Sequence, residues 1–229
     1  MHTTSHGAVS PAYPIGSPVT FGHHGLVTFE LRRATGSDVD ALYQICLRTA
    51  ADGADATSRY TDPNVLGHLY VGPYALLEPE LAFVVADESG VQGYVLGAAD
   101  THRFAAECEQ RWFPRLRKRY PLPGVHDTSA DAGIVRLMHR GIDTSAATPA
   151  YPAHLHIDLE PAAQGKGWGR RLITRFEDEL RDRGVTGFHL TASATNAGAI
   201  AFYERLGLER RRGDIGSVVY VRSLPTAAD

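Results

Sequence analysis

The chain has 229 residues, 43% of them apolar and 21% charged, with a net charge of −3. That is enough for one sizeable soluble α/β domain with its own core, and the acidic balance argues against a protein organised around nucleic acid. Two cysteines exclude a disulfide framework, and no apolar run approaches the roughly 20 residues that span a bilayer.

Residues 1–27 are rich in Gly, Pro, Ser, Thr and His without helical or strand period, and read as a flexible leader. The leader's His2, His6, His23 and His24 lack metal-ligand spacing. No basic region precedes an apolar stretch, so no secretory signal is expected and the cytoplasm is the default setting. Residues 28–229 are expected to form a single domain.

Thr28 to Arg32 reads as a first strand. Ser37 is expected to cap a helix whose apolar side is Val39, Leu42, Ile45 and Cys46. Thr61 to Tyr70 suggests a shorter helix. Leu81 to Ala86 and Val91 to Ala99 flank the turn Asp87-Glu88-Ser89-Gly90 as a β-hairpin. An excursion over about 101–152 follows, with helical character at Phe104 to Arg119 and again around Ile134 to Met138. Pro114 should kink or break the first of these. Its cationic run, Arg115-Leu116-Arg117-Lys118-Arg119, reads first as a solvated face.

His154 to Leu159 forms the next strand. Alternation puts Leu155, Ile157 and Leu159 on one side and His154, His156 and Asp158 on the other, which suggests that the polar side meets a cleft. For the two histidines a structural role is the simpler reading. Asp158 reads either as a functional carboxylate or as a hydrogen-bonded structural one. The run Gln164-Gly165-Lys166-Gly167-Trp168-Gly169-Arg170 then leads into a helix whose buried face is Leu172, Phe176 and Leu180, ended by Gly184. Phe188 to Ala192 and Ser217 to Val221 are further strands.

Glycines at alternate positions before a helix let backbone N–H groups approach an anion beside the positive end of the helix dipole. A dinucleotide fingerprint does not fit, because the spacing is G-x-G-x-G and the following strand ends in Thr191 and Ala192 without an acid. A P-loop fails because Lys166 is followed by Gly167 where Ser or Thr is needed.

Gln164-x-x-Gly167-x-Gly169 after a strand resembles the pyrophosphate loop of the GNAT acetyltransferase superfamily. The block Asn196-Ala197-Gly198-Ala199-Ile200-Ala201-Phe202-Tyr203-Glu204-Arg205-Leu206-Gly207-Leu208 is similar to that superfamily's last helix. A narrower resemblance joins Gly93-Tyr94-Val95-Leu96-Gly97, Asp100, Cys108, Trp112-Phe113-Pro114, Tyr120 and Arg222-Ser223-Leu224. This pattern looks like the C-terminal acetyltransferase-like domain of the O-GlcNAc hydrolases. Animal members have lost the glycine loop that this chain keeps, and no hydrolase domain precedes it here, so glycosidase activity is not implied.

The resemblance implies an α/β (α+β) fold, with a mixed, twisted sheet of about six to seven strands flanked by helices and parallel at the motif strands. It implies acetyl-coenzyme A as cosubstrate, an amine acceptor (small molecule or protein lysine), direct transfer in a ternary complex and no metal. The coenzyme is expected at Leu159, Glu160, Gln164, Gly165, Lys166, Gly167, Trp168, Gly169, Arg170 and Asn196. Asp158 is the expected base, since an amine with a pKa near 10 must be made neutral. A backbone N–H at Leu159 or Glu160 is the expected oxyanion donor, and by resemblance Tyr203 is the general acid. Structural readings stand beside these: Tyr203 as part of an apolar stripe, Asn196 as a helix cap. The 101–152 excursion is expected to wall one side of the acceptor groove. The alternative function is a catalytically weak or inactive coenzyme-binding or protein-interaction module.

Overall fold

A computed structural model describes residues 28–225; the leader at 1–27 lies outside the described residues. A seven-stranded sheet organises the chain, in the order β1-β2-β3-β4-β5-β7-β6. Its strands are β1 Glu30–Arg33, β2 Ala82–Asp87, β3 Gly90–Ala98, β4 Ala153–Leu159, β5 Gly187–Ser193, β6 Glu209–Arg212 and β7 Ser217–Ser223. The β4–β5 pair is parallel and the other pairs are antiparallel.

One face is covered by α1 (Val39–Thr49), α2 (Val65–Tyr70), α3 (Gly72–Leu77), α4 (Thr101–Glu107), α5 (Phe113–Arg119) and α6 (Ala130–Arg140), which share a core with Tyr94, Leu96 and Ala98 of β3. The other is covered by α7 (Trp168–Asp182) and α8 (Ala197–Arg205). Leu172, Ile173, Phe176 and Leu180 of α7 are buried against Leu155, Val95 and Phe188. This helix ends as its sequence requires: Gly184 takes φ 68°, and Val185 N–H reaches back to Leu180 O at 3.0 Å.

Three local expectations need correction. Ser37 does not cap α1. It lies in a preceding 3₁₀ turn, Gly36–Asp38, and Asp38 is the organising residue. The Asp38 carboxylate accepts from Thr35 N–H and Oγ1–H at 2.8 Å each and from Arg32 at 2.7 and 2.8 Å. Pro114 does not break the helical run. A π-helical turn at Cys108–Trp112 precedes it, leaving Pro114 in the first turn of α5, where its missing N–H costs nothing. Strand β6, absent from the reading above, is Glu-Arg-Arg-Arg at the sheet edge, with all four residues exposed and no apolar alternation to reveal it.

Candidate active site

The site begins where β4 and β5 part. Their register holds at Ala153↔Phe188 and His154↔His189 and goes no further. Beyond it β4 stays paired to β3 as far as Gly93↔Leu159. Glu160 N–H donates to Gln92 O at 2.8 Å. In an antiparallel ladder the bonded residues alternate, so Asp158 and Glu160 turn their backbone groups to β3, while Ile157 and Leu159 turn theirs into the gap left by β5. Leu159 O accepts from Gln164 Nε2 at 2.8 Å, which ties the glycine loop to the end of β4.

Glu160 is therefore not the oxyanion donor. Its N–H belongs to the ladder, and its carboxylate pairs with Arg48 at 2.6 Å. Leu159 N–H has the orientation for that task.

The gap opens into a cavity of about 610 Å³. Ile157, Asp158 and Leu159 form its floor, and Gln164, Gly165, Gly167, Gly169 and Arg170 one end. Asn196, Gly198, Ala199, Phe202 and Tyr203 of the α8 region form a side, and Thr49, Asp52 and Gly53 close the α1 side. Gly165 and Gly167 take φ of 69° and 82°, a backbone that L side chains resist. Gly167 is the N-cap of α7 and leaves the helix without a side-chain cap, so the first N–H groups of a 15-residue helix remain available to an anion. Gly169 is small for a packing reason: a Cβ there would meet the Phe202 ring at 2.8 Å.

Two of the residues expected at the coenzyme point elsewhere. Lys166 Nζ lies 5.3 Å from the centre of the Phe29 ring, and Trp168 packs on Phe29 with ring centroids 5.4 Å apart. Arg171 stacks on Trp168 at 4.4 Å. Glu160, Lys166 and Trp168 are not among the residues lining the cavity. No residue of the 101–152 excursion lines it either, because Phe104, Cys108, Phe113, Ile134 and Met138 are spent in the core with α1–α3.

Asp158 and Tyr203 face the cavity from opposite sides of the sheet. Tyr94 lies directly across from Asp158 in the β3–β4 register and donates its O–H to the carboxylate at 2.5 Å. Burial pushes the Asp158 carboxyl above its ordinary range, and the Tyr94 hydrogen bond opposes that shift. Burial, then the neighbouring Asp158, pushes the Tyr203 phenol upward, so it stays protonated. Asn196 accepts from Ala199 N–H at 2.9 Å as the cap of α8 and also lines the cavity.

The histidines preceding Asp158 on the same face are structural. Thr101 Oγ1 donates to Pro152 O at 2.7 Å and so receives His154 Nδ1–H at 2.8 Å. His154 Nε2 then accepts from Tyr74 O–H at 2.8 Å, and the Tyr74 oxygen accepts from His156 Nε2–H at 3.0 Å. Burial, with His189 and each other nearby, drives His154 well below the usual imidazole range and His156 to about 4. Both rings are neutral. Among the described residues no group of three or more His, Cys, Asp or Glu could hold a metal, and no helix is long and apolar enough to cross a membrane.

Several lining residues had no sequence signal. Thr49, Asp52 and Gly53 lie more than 100 positions from the glycine loop. An Asp-Gly pair after a helix marks a turn, but nothing in it says which site that turn meets.

Comparison with known proteins points the same way as this geometry. Residues 136–208 match the family model described as Acetyltransferase (GNAT) family. The N-alpha-acetyltransferase RimI of Mycobacterium tuberculosis is 31% identical over 136 residues, covering 56% of this chain and 84% of that protein. The protein O-GlcNAcase of Rattus norvegicus is 23% identical over 182 residues, 78% of this chain. The chain spans only about a fifth (20%) of that relative's length. The crystal structure of SsHAT is 42% identical with a TM-score of 0.81, covering 86% of this chain and 99% of that one.

Proposed function

This chain belongs to the acetyltransferase (GNAT) family, and from that premise we propose that it moves an acetyl group from acetyl-coenzyme A directly to an amine in a ternary complex. Acetyl-coenzyme A is the acetyl donor in this reading. The observation that carries the finer reading is the shared cavity: an uncapped α7 N-terminus with two left-handed glycines opens onto the same space as Asp158 and Tyr203. A binding module without catalysis gives no reason for that pairing.

The residues divide the work as follows. Gly165, Gly167, Gly169 and Arg170 present N–H groups and one cation to the pyrophosphate, and Asn196 and Ile157 flank the arm. Bound there, the coenzyme supplies a thioester carbonyl for attack. Asp158 takes the proton from the incoming amine, directly or through water. Leu159 N–H meets the negative charge that develops on the carbonyl oxygen. Tyr203 gives its proton to the departing sulfur. A covalent acetyl-cysteine has no support, because Cys46 and Cys108 are buried and burial raises both thiols. Their reduced state also suits the cytoplasm. Residues 28–229 act as one domain in this reading.

The test is calorimetric titration with acetyl-coenzyme A, with Gly167→Glu as the control, followed by thiol release in the presence of amines. Saturable binding should be lost by about 100-fold or more in the variant, which puts a side chain and a negative charge where φ is 82°. Failure of the unmodified chain to bind the coenzyme would overturn the reading.

A further inference from the structure

The α1 side of the cavity is formed by the turn that follows α1. Within it Asp52 is the only non-glycine residue at positive φ among the described residues, at 53°. The turn holds it there: Gly53 N–H donates to Thr49 O at 2.9 Å, and Ala51 and Ala54 exchange two backbone bonds of 3.0 Å. Thr195 Oγ1 donates to Asp52 Oδ2 at 2.7 Å, and Thr195 immediately precedes the α8 cap, Asn196. Asp52 is exposed, so its carboxylate sits at the cavity mouth.

The cavity carries opposite charges towards its two ends. Helix α8 has nine residues and spans about 13 Å. Asp52 lies against its start, whereas Arg205 and Arg170, in contact at 3.5 Å, lie at its end beside the glycine loop. Arg48 of α1, outside the lining, is committed to Glu160 at 2.6 Å. The cationic end is matched to a pyrophosphate, which leaves the anionic end for the acceptor. Direction agrees with charge. The Asp158 side chain shares the α1 face of the sheet with Tyr94 and Cys46, opposite α7, and on that face the cavity is bounded by the Asp52 turn.

The amine that attacks must first lose its charge. A carboxylate fixed at the mouth, away from Asp158, is complementary to a charge that persists through the reaction. We infer that Asp52 selects acceptors that carry a second cationic group beside the amine that is acetylated. This assignment rests on the acetyl-transfer reading and deepens it.

Diaminobutane and butylamine, titrated calorimetrically with excess coenzyme A present, provide the test. Asp52→Asn and Asp52→Gly are the variants, since both residues accept a positive φ. The unmodified protein should bind the diamine about 10-fold more tightly than the monoamine, by a margin that shrinks as salt is raised. In both variants the ratio should fall close to one. Equal affinities in the unmodified protein, no binding of either amine, or a preference that survives both substitutions would overturn the assignment. The two readings fail differently. No coenzyme binding and no thiol release with any amine defeats acetyl transfer, whereas turnover without diamine preference defeats only the role of Asp52.

Discussion

Strand β4 carries His154 and Asp158 on the same face, four residues apart, and the sheet treats them in opposite ways. At His154 the strand is flanked by β3 and β5, and the imidazole is closed in by Thr101 and Tyr74. At Asp158 the β5 side is open, and the carboxylate accepts from Tyr94 and faces a cavity. Polar alternation along a strand thus does not separate core from site. His154 and Asp158 differ in whether the neighbouring strand is still there; His156, already past the end of the β4–β5 pairing, is closed in by Tyr74 instead.

The largest effects should come from exchanging the two halves experimentally. Asp158→Asn and Tyr203→Phe should each lower kcat by about 10²–10³ while coenzyme affinity changes by no more than about threefold. His154→Gln should instead lower stability, with activity restored wherever the fold is. Turnover that survives Asp158→Asn, or dies in a well-folded His154→Gln, would erase the distinction.

Next in size is the acid response of the closed half. His156 is held to about 4, against an unfolded value near 6.5. A depressed pKa means that the unfolded chain takes up the proton first. Stability is then complete above about pH 6.5 and is lost as pH falls towards 4, by on the order of 3 kcal/mol for His156. Thermal unfolding at stepped pH reads this, and a flat midpoint between pH 7 and 5 would argue against a neutral cluster. Gly97→Ala probes the same half. Its Cβ would meet His154 O at 2.3 Å and the Phe176 ring at 2.5 Å, so roughly 1–3 kcal/mol should be lost in chemical denaturation.

The smallest change belongs to the open half. The groups facing Asp158 are Tyr94 from β3, Cys46 and Thr49 from α1 and Tyr203 from α8. Tyr94 O–H favours the charged carboxylate, so Tyr94→Phe should raise the Asp158 pKa. The acid limb of the kcat profile should move to higher pH by about half a unit to one unit. A limb that stays in place would mean that another group limits the rate.

Much of this was legible in the sequence because its signals are local. The glycine loop, the α7 stripe, Gly184 and the α8 cap each rest on residues within one turn of each other. Gly97 was recognisable only as part of a family pattern; its reason, the close approach of the His154 carbonyl and Phe176, is tertiary. Lys166 and Trp168 read as coenzyme residues from their position in the loop, but which way a side chain leaves that loop depends on Phe29. The excursion reads as an acceptor wall because nothing local in it says what its apolar side covers. Its apolar residues bury α1–α3, and the α1 side of the cavity is lined instead by Thr49, Asp52 and Gly53, with Asp52 held by Thr195, 143 positions away. Strand β6 exists because β7 offers it an edge.

The π turn between α4 and α5 has a consequence for the basic run that follows. Buried Cys108 and Phe113 are five residues apart, one more than a regular helix allows between anchors on one stripe. The surplus residue is stored in the turn, so each residue after it sits about 100° from where an uninterrupted helix would aim it. Arg117 thereby reaches Met138 O at 3.0 Å and grips Glu109 at 2.6 and 2.7 Å. Removing one residue from 110–111 would spin that grip off its partners. The bearing of the whole cationic ridge is set by a single count in chain length.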